Sequence, residues 1–372
     1  MDAIYIDHHA TTPCDPRVVE RMLPFFSENF GNPASLTHQH GRTAANALED
    51  ARIAIARFFA VVPTEIYFTA GATESNNIAI HQLKPGDHVI TGMTEHKSVL
   101  APVERSGVEV TILRPDGEGR IDGDAVQKAL RPNTRLVSIE AANGEIGTVQ
   151  PIAGIGAICR ERGILFHSDI TQAAGKIPIS LANVDLASFS GHKIYGPKGI
   201  GGLFVRRGVR IEPLLAGGGQ EKGLRSGTVN VPGAVGMAAA FEICAAEMAA
   251  EGKRLAAIRD SLREALRESI PGVSINGPRT LRLPGNLNVS FERVDAESLI
   301  IGMRRFSLSS GSACSSGERG PSRILRAIGL SDELAMGSIR IGLGRSNTAE
   351  HVAMLVDDLK RVVARLREIS AA

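Results

Sequence analysis

Four side chains stand in settings that could carry chemistry: Lys193, Asp169, His96 and Cys314. Lys193 ends the run Ser190-Gly191-His192-Lys193, whose small neighbours and imidazole could partly desolvate its amine. A desolvated amine is a nucleophile toward a carbonyl. Asp169 lies in His167-Ser168-Asp169-Ile170-Thr171-Gln172 and His96 in Thr94-Glu95-His96-Lys97. Cys314 is flanked by Ser309-Ser310-Gly311-Ser312-Ala313 and Ser315-Ser316-Gly317, small residues that predict a loop able to enter a site and withdraw. Each residue also has a plain structural reading. Lys193 could be a surface lysine beside a turn, Asp169 a helix cap, His96 a hydrogen-bonded core histidine and Cys314 an inert small residue.

The elements around these residues decide between the readings. Apolar runs predict strands at Ile66 to Thr69, His88 to Thr91, Val108 to Leu113, Leu136 to Ile139, Ile164 to Phe166, Leu186 to Phe189 and Leu203 to Val205. Helix-length segments separate most of them, and residues 38 to 60 carry apolar side chains at helical spacing. That alternation predicts an α/β fold with a mostly parallel seven-stranded sheet, whose ligand site lies beyond the carboxyl ends of the strands. Phe25 to Ala34 reads as loop, and Ala234 to Ser269 as a long helix that Gly252 bends or interrupts. Short strands at Val273 to Ile275, Leu287 to Phe291 and Ile339 to Leu343 alternate with helices in the remainder. A closing helix has Thr348 as its N-cap. The expected division is a large domain over 13–250 and a smaller α+β domain over 1–12 and 251–372.

Placed on that sheet, the chemistry collects at strand ends. The turn Gly71-Ala72-Thr73 follows the first strand of the sheet and opens a helix, whose free N–H groups, with the nearby hydroxyls, suit a phosphate. Asp169 follows one strand, Ser190, His192 and Lys193 another, and His96 a third. A phosphate cradle, a carboxylate, a flat ring and a lysine are what pyridoxal 5'-phosphate requires. The lysine forms a Schiff base, the carboxylate keeps the pyridine nitrogen protonated, and the imidazole stacks on the ring. Singly each signal is weak; at the ends of alternating strands they favour the cofactor together.

Composition narrows the class. The 372 residues include 42 basic and 40 acidic ones, mixed throughout, which gives little support to a nucleic-acid-binding face. No run is read as reaching a membrane span, and the N-terminus lacks the pattern of a secretion signal, so a cytoplasmic location is expected. Cys14, Cys159, Cys244 and Cys314 lie far apart, with no metal-ligand spacing and no disulfide framework. Of the first three, all read as structural, Cys14 is the least firmly assigned.

The chain resembles the cysteine desulfurases of the fold-type-I pyridoxal-phosphate family. The resemblance rests on Tyr5-Ile6-Asp7-His8-His9-Ala10-Thr11-Thr12-Pro13, Phe30-Gly31-Asn32-Pro33-Ala34-Ser35, Gly71-Ala72-Thr73-Glu74-Ser75-Asn76-Asn77, Thr94-Glu95-His96-Lys97, Ser188-Phe189-Ser190-Gly191-His192-Lys193, Arg225-Ser226-Gly227-Thr228 and Ser309-Ser310-Gly311-Ser312-Ala313-Cys314, in the family's order. It implies that Lys193 carries the cofactor, Asp169 pairs with the pyridine nitrogen, His96 stacks on the ring and moves protons, and Gln172 reaches the phenolic oxygen. Ala72, Thr73, Ser190 and His192 would hold the phosphate, joined by Thr228 from the second subunit of a homodimer. Arg340 would clamp the substrate carboxylate, assisted by Asn32. The implied reaction converts L-cysteine to L-alanine and leaves sulfur as a persulfide on Cys314 for an acceptor protein, such as an iron–sulfur scaffold.

At one position the chain departs from that pattern. Where the family shows two asparagines before Glu-(Ile/Thr)-Gly, this chain reads Ala142-Asn143-Gly144-Glu145-Ile146-Gly147. Glycine cannot supply the hydrogen bond expected at the second position. Either Asn143 turns in, or Gln172 and water compensate, or turnover is slower. Rival readings are another pyridoxal-phosphate activity such as selenocysteine lyase or transaminase, a cofactor-free thiol hydrolase using Cys314 with His96, and a low-activity sulfur-carrier scaffold.

Overall fold

A computed structural model describes residues 3–310 and 320–371 of the chain; Cys314 lies outside them. The chain opens with a two-residue strand, β1 (Ile4–Tyr5). Seven strands follow: β2 (Ile66–Thr69), β3 (His88–Gly92), β4 (Glu109–Leu113), β5 (Thr134–Ser138), β6 (Leu165–Asp169), β7 (Leu186–Ser190) and β8 (Gly201–Val205). They form one sheet in the order β2-β8-β7-β6-β5-β3-β4. Only β8 runs antiparallel to its two neighbours, so the other six point the same way. The expected sheet is therefore present, with ends shifted by up to three residues. Asp169 and Ser190 are the last residues of their strands, three residues and one residue past the ends of the apolar runs.

Why these strands are central is visible in their side chains. β3, β7 and β8 are buried at every position, as an inner strand covered on both faces must be. Phe189, next to the end of β7, packs its ring 5.2 Å from Phe59 and 5.6 Å from Phe241 between centroids. Burying such a ring is worth about 1.5–3 kcal/mol, and here it fixes the strand end that leads into Lys193. Gly202 on β8 leaves the space for that ring, since a Cβ there would stand 2.3 Å from Phe189 Cζ.

A second sheet follows in sequence. β9 (Val273–Asn276), β10 (Asn286–Phe291), β12 (Ser309–Ser310) and β13 (Ser338–Gly342) pair antiparallel in the order β12-β13-β10-β9, while β11 (Phe306–Ser307) pairs in parallel with β1. Ile339 and Ile341 enter a core with Ile6, Val289, Phe291, Leu355 and Leu359. Arg340, between them, takes the other face, the alternation a strand imposes. The closing helix Ala349–Ala371 is capped by Thr348 Oγ1, which accepts from His351 N at 3.4 Å.

Three expectations are corrected. The helix Val231–Ser269 is continuous through Gly252. Its early residues, Ala234 to Cys244, sit in the core of the large sheet, and Leu255, Leu262 and Leu266 sit in the core of the small one, so packing at both ends holds it. By length and composition this helix could also cross a membrane, contrary to the reading that no run would; just over half of its apolar stretch is buried within the protein. Finally, Pro24–Ser27 forms a short helix that runs into the start of the segment read as loop, with Pro24 at its first position.

Candidate active site

A cavity of about 970 Å³ lies at the carboxyl ends of β2, β3, β5, β6 and β7. It brings together Ala72, Thr73, His96, Asp169, Gln172, Ser190, His192, Lys193 and Arg340, residues spread over most of the chain. Lys193 ends a tight turn, Gly191–Lys193, directly after β7. Its Nζ donates to His9 O at 2.8 Å and to Ala10 O at 2.6 Å, so the N-terminal segment holds the amine.

One end of the cavity is built for an anion. The helix Ala72–Ile80 begins at Gly71 with no side chain capping its first N–H groups. Ser190 Oγ lies 4.0 Å from where a Gly71 Cβ would stand, and Thr73 is exposed beside it. Backbone approach here is close: a Cβ on Gly201 would meet Gly71 Cα at 2.5 Å. His192 hydrogen-bonds Thr11 Oγ1 at 3.1 Å; burial first, then the charges of Lys193 and Lys198, push its pKa down to about 4. It is therefore neutral near pH 7 and serves the site as a hydrogen-bonding group.

Asp169 and His96 belong to a single relay. Asn76 Nδ2 donates to Asp169 Oδ2 at 2.7 Å and to Ser98 Oγ at 2.8 Å. Ser98 Oγ lies 2.7 Å from His96 Nδ1, which also accepts from Ser98 N at 3.1 Å and so caps the helix Lys97–Arg105. Because Nδ1 is an acceptor, the ring proton sits on Nε2. Loss of water holds His96 below the usual imidazole range, and Lys193 acts the same way against the pull of Asp169. Asp169 Oδ1 accepts from Thr171 N at 3.0 Å.

Around Gly144 one of the alternatives left by the sequence is excluded. Asn143 does not turn in: its Nδ2 donates to Glu140 Oε1 and Thr94 O, and its Oδ1 accepts from Glu145 N and Ile146 N. Gln172 instead leans over the glycine, with Nε2 2.6 Å from the Cβ position of residue 144. Its amide is tied down, Oε1 accepting from Lys176 Nζ at 2.7 Å and Nε2 donating to His9 O at 3.0 Å.

Arg340 is buried and reaches the cavity from β13. Its Nη2 donates to Asp7 Oδ1 at 2.7 Å and to Ser309 Oγ at 3.0 Å. Burial raises the carboxyls of Glu140, to about 7, and of Glu145, the latter against the charge of Arg340. An anionic substrate group would share this guanidinium with the Asp7 carboxylate.

Two candidates stay outside this cavity. Asn32 is exposed and its Oδ1 closes a turn on Ala34 N at 3.0 Å. Thr228 is exposed and lines a separate recess of about 90 Å³ with Arg225 and Gly199. Cys314 lies outside the described residues. Residues the sequence reading missed include Asn76, Ser98, Lys176, His9 and Asp7. Asp7, His9 and Asn76 lie inside runs that carry the resemblance and Ser98 directly after one, but the runs alone give them no role; Lys176 carries no local signal.

The residues fit pyridoxal phosphate: an uncapped helix start beside Ser190, the Asp169 carboxylate and the Lys193 amine all open into one cavity. The aminotransferase class-V family model matches residues 4–355. A protein named cysteine desulfurase IscS from Methylococcus capsulatus is 51% identical over 99% of this chain and 94% of its own length. A probable mitochondrial cysteine desulfurase from Dictyostelium discoideum is 46% identical over 99% of this chain and 84% of its own. Among solved structures, a NifS-like protein superposes with a TM-score of 0.91 at 37% identity, covering 98% of this chain and all of that one.

Proposed function

From the premise that this chain belongs to the class-V aminotransferase family, as a pyridoxal-phosphate-dependent cysteine desulfurase, we propose which of its residues convert L-cysteine to L-alanine and hold the sulfur. Lys193 would carry the cofactor, Asp169 would pair with its pyridine nitrogen, His96 would stack on its ring, and Gln172 would serve its phenolic oxygen. Ala72, Thr73, Ser190 and His192 take the phosphate. The bound cofactor supplies an electron sink for the substrate's α-carbon.

Each remaining step is an act of the protein. Arg340 binds and orients the substrate carboxylate through its planar guanidinium. The Lys193 amine, held at the cavity wall by His9 O and Ala10 O, would take the α-proton. His96 presents an N–H at Nε2 and exchanges protons with the substrate thiol. The Cys314 thiolate attacks the substrate sulfur; the carbon–sulfur bond breaks as the sulfur–sulfur bond forms, and alanine departs. The persulfide on Cys314 then passes to an acceptor protein, which we take to be an iron–sulfur scaffold or a thiolation partner.

We further read the protein as a cytoplasmic homodimer of two-domain subunits, divided as the two cores suggest. Leu23, Phe26, Phe30 and Leu36 are each more than half exposed within one stretch, an apolar surface that a second copy would cover. Thr228 then reaches the partner's phosphate site. Cys14, Cys159 and Cys244 are free thiols, consistent with a reducing compartment.

The observation that carries the assignment is the meeting of Lys193, Asp169 and an uncapped helix start in one cavity. Purified protein given L-cysteine and reductant is expected to release alanine and sulfide. Lys193→Ala should abolish both, and Cys314→Ser should abolish sulfide release. Full sulfide release from Cys314→Ser would overturn the proposed carrier, and a protein that takes up no pyridoxal phosphate would overturn the whole reading.

A further inference from the structure

Gln172 carries a side-chain amide whose orientation the structure fixes. A carbonyl can only accept, so His9 O at 3.0 Å must face Nε2, which leaves Oε1 to accept from Lys176 Nζ at 2.7 Å. His9 Nδ1, 3.1 Å from the same Oε1, must then carry the His9 ring proton. The amide oxygen is thus fully engaged and one amide hydrogen is used. One hydrogen on Nε2 remains, and Nε2 lies 2.6 Å from where a Cβ of residue 144 would be, on the cavity wall.

Lys176 itself has no other assignment. It is partly buried and lines a small chamber of about 40 Å³ behind Lys193. Loss of water, followed by the nearby charges of Lys193 and Arg340, pushes its pKa down to about 7, and the amine donates to Gln172 in either protonation state. A cation held close to Lys193 and Arg340 works against all three charges, so a purely structural role would be served better by an apolar side chain.

We propose that Lys176 is a positioning residue that locks the Gln172 amide over Gly144, so that a Gln172 N–H supplies the cavity-facing donor a glycine at 144 cannot supply. The inference rests on the reading that this cavity holds pyridoxal phosphate, and deepens it. It makes Gly144 and Lys176 a matched pair. The glycine gives Gln172 room, and the lysine keeps Gln172 in that room. Gly144→Asn in the unaltered background would drive a Cβ against a fixed amide.

The test is a cycle of four proteins: unaltered, Lys176→Met, Gly144→Asn and the double variant. Each is stripped of cofactor and titrated with pyridoxal phosphate, and the pH midpoint of the resulting visible band is read. Lys176→Met is expected to weaken cofactor binding about tenfold, the scale of one lost hydrogen bond. It should also raise the midpoint by about one pH unit, because a donor to the phenolic oxygen favours the form with more negative charge there. Gly144→Asn alone should weaken binding at least as much, and in the Lys176→Met background it should restore affinity and midpoint. Thermal unfolding of the cofactor-free proteins separates these effects from misfolding. Should Lys176→Met fail to fold, Gly144→Ala probes the same contact from the other side and is expected to weaken binding.

An unchanged midpoint and affinity in Lys176→Met, additive effects in the cycle, or an unaffected Gly144→Ala would each overturn the proposal. Its failure is distinguishable from failure of the underlying reading, in which the unaltered protein would bind no cofactor at all.

Discussion

The side-chain amide of Asn76 stands 2.7 Å from Asp169 Oδ2, although the two residues are 93 positions apart. Its other hydrogen goes to Ser98 Oγ at 2.8 Å, and Ser98 in turn supports His96. One buried amide therefore sets both the carboxylate assigned to the pyridine nitrogen and the ring assigned to cover the cofactor.

Asn76→Ala is expected to lower cofactor affinity by about tenfold or more and to cost about 1–3 kcal/mol of stability, the penalty for leaving buried partners unmade. Asn76→Asp should be worse for the cofactor, since a second carboxylate beside Asp169 raises its pKa and removes the negative charge the pyridine nitrogen needs. Cofactor titration and thermal unfolding check both. Normal affinity in Asn76→Asp would show that Asp169 does not depend on this amide.

A second prediction concerns backbone contact at the anion end. A Cβ on Gly201 would stand 2.5 Å from Gly71 Cα and 2.6 Å from Phe189 O, and neither backbone atom can swing aside. Gly201→Ala should cost about 1–3 kcal/mol by overpacking and weaken pyridoxal phosphate binding, because the displaced turn carries the first N–H groups of the phosphate cradle. Gly154, in the helix Ile152–Glu161, has nothing within 4 Å of its Cβ position, and Gly154→Ala should stabilise by about 0.5–1 kcal/mol. Equal unfolding temperatures for the two variants would contradict the argument.

The large sheet was legible because each buried strand is a short apolar run and the chemistry sits at or just past its end, as with Ser190 closing β7 and Lys193 after it. What stayed hidden depends on partners distant in sequence. His9 meets Gln172 across 163 positions, and nothing in the run Asp7-His8-His9 foretells it. Neither Asn76, within the helix that opens after Gly71, nor Lys176 gives its role away in sequence, since a polar residue shows its partner only after the chain has folded. Gly252 misled for the opposite reason: its local cost in a helix is small, and the two cores that hold the helix Val231–Ser269 outweigh it.

The acid limb of stability should report on Asp15. Its carboxylate caps the helix Pro16–Met22 and bonds Arg17 Nη2 and Arg345 Nη1, each at 2.8 Å. The hydrogen bond from Arg17 is the main cause that pulls its pKa down to about 2. A carboxyl with a depressed folded-state pKa contributes stability above its unfolded value, near ~4, and loses it as pH falls toward the folded value. The difference in unfolding temperature between the unaltered protein and Asp15→Asn should therefore be full at pH 7 and shrink between about pH 4 and pH 2. A difference that stays constant through that window would assign the stabilisation to packing instead.

The last prediction separates charge from shape at Arg340. Arg340 Nη2 is shared between Asp7 Oδ1 at 2.7 Å and Ser309 Oγ at 3.0 Å, and the side chain is buried. Arg340→Ala removes one partner of a buried pair and strands Asp7, which should cost about 3–5 kcal/mol and blur any kinetic reading. Arg340→Lys keeps the cation near Asp7 but loses the fork that can grip a carboxylate with two parallel bonds. It should raise KM for L-cysteine about tenfold or more and leave the affinity for pyridoxal phosphate unchanged, because Arg340 approaches from β13 and not from the strand ends that hold the cofactor. Measured together, KM and cofactor affinity decide the matter: a variant that loses cofactor with KM unmoved would place Arg340 in the cofactor site and leave the substrate carboxylate to another cation.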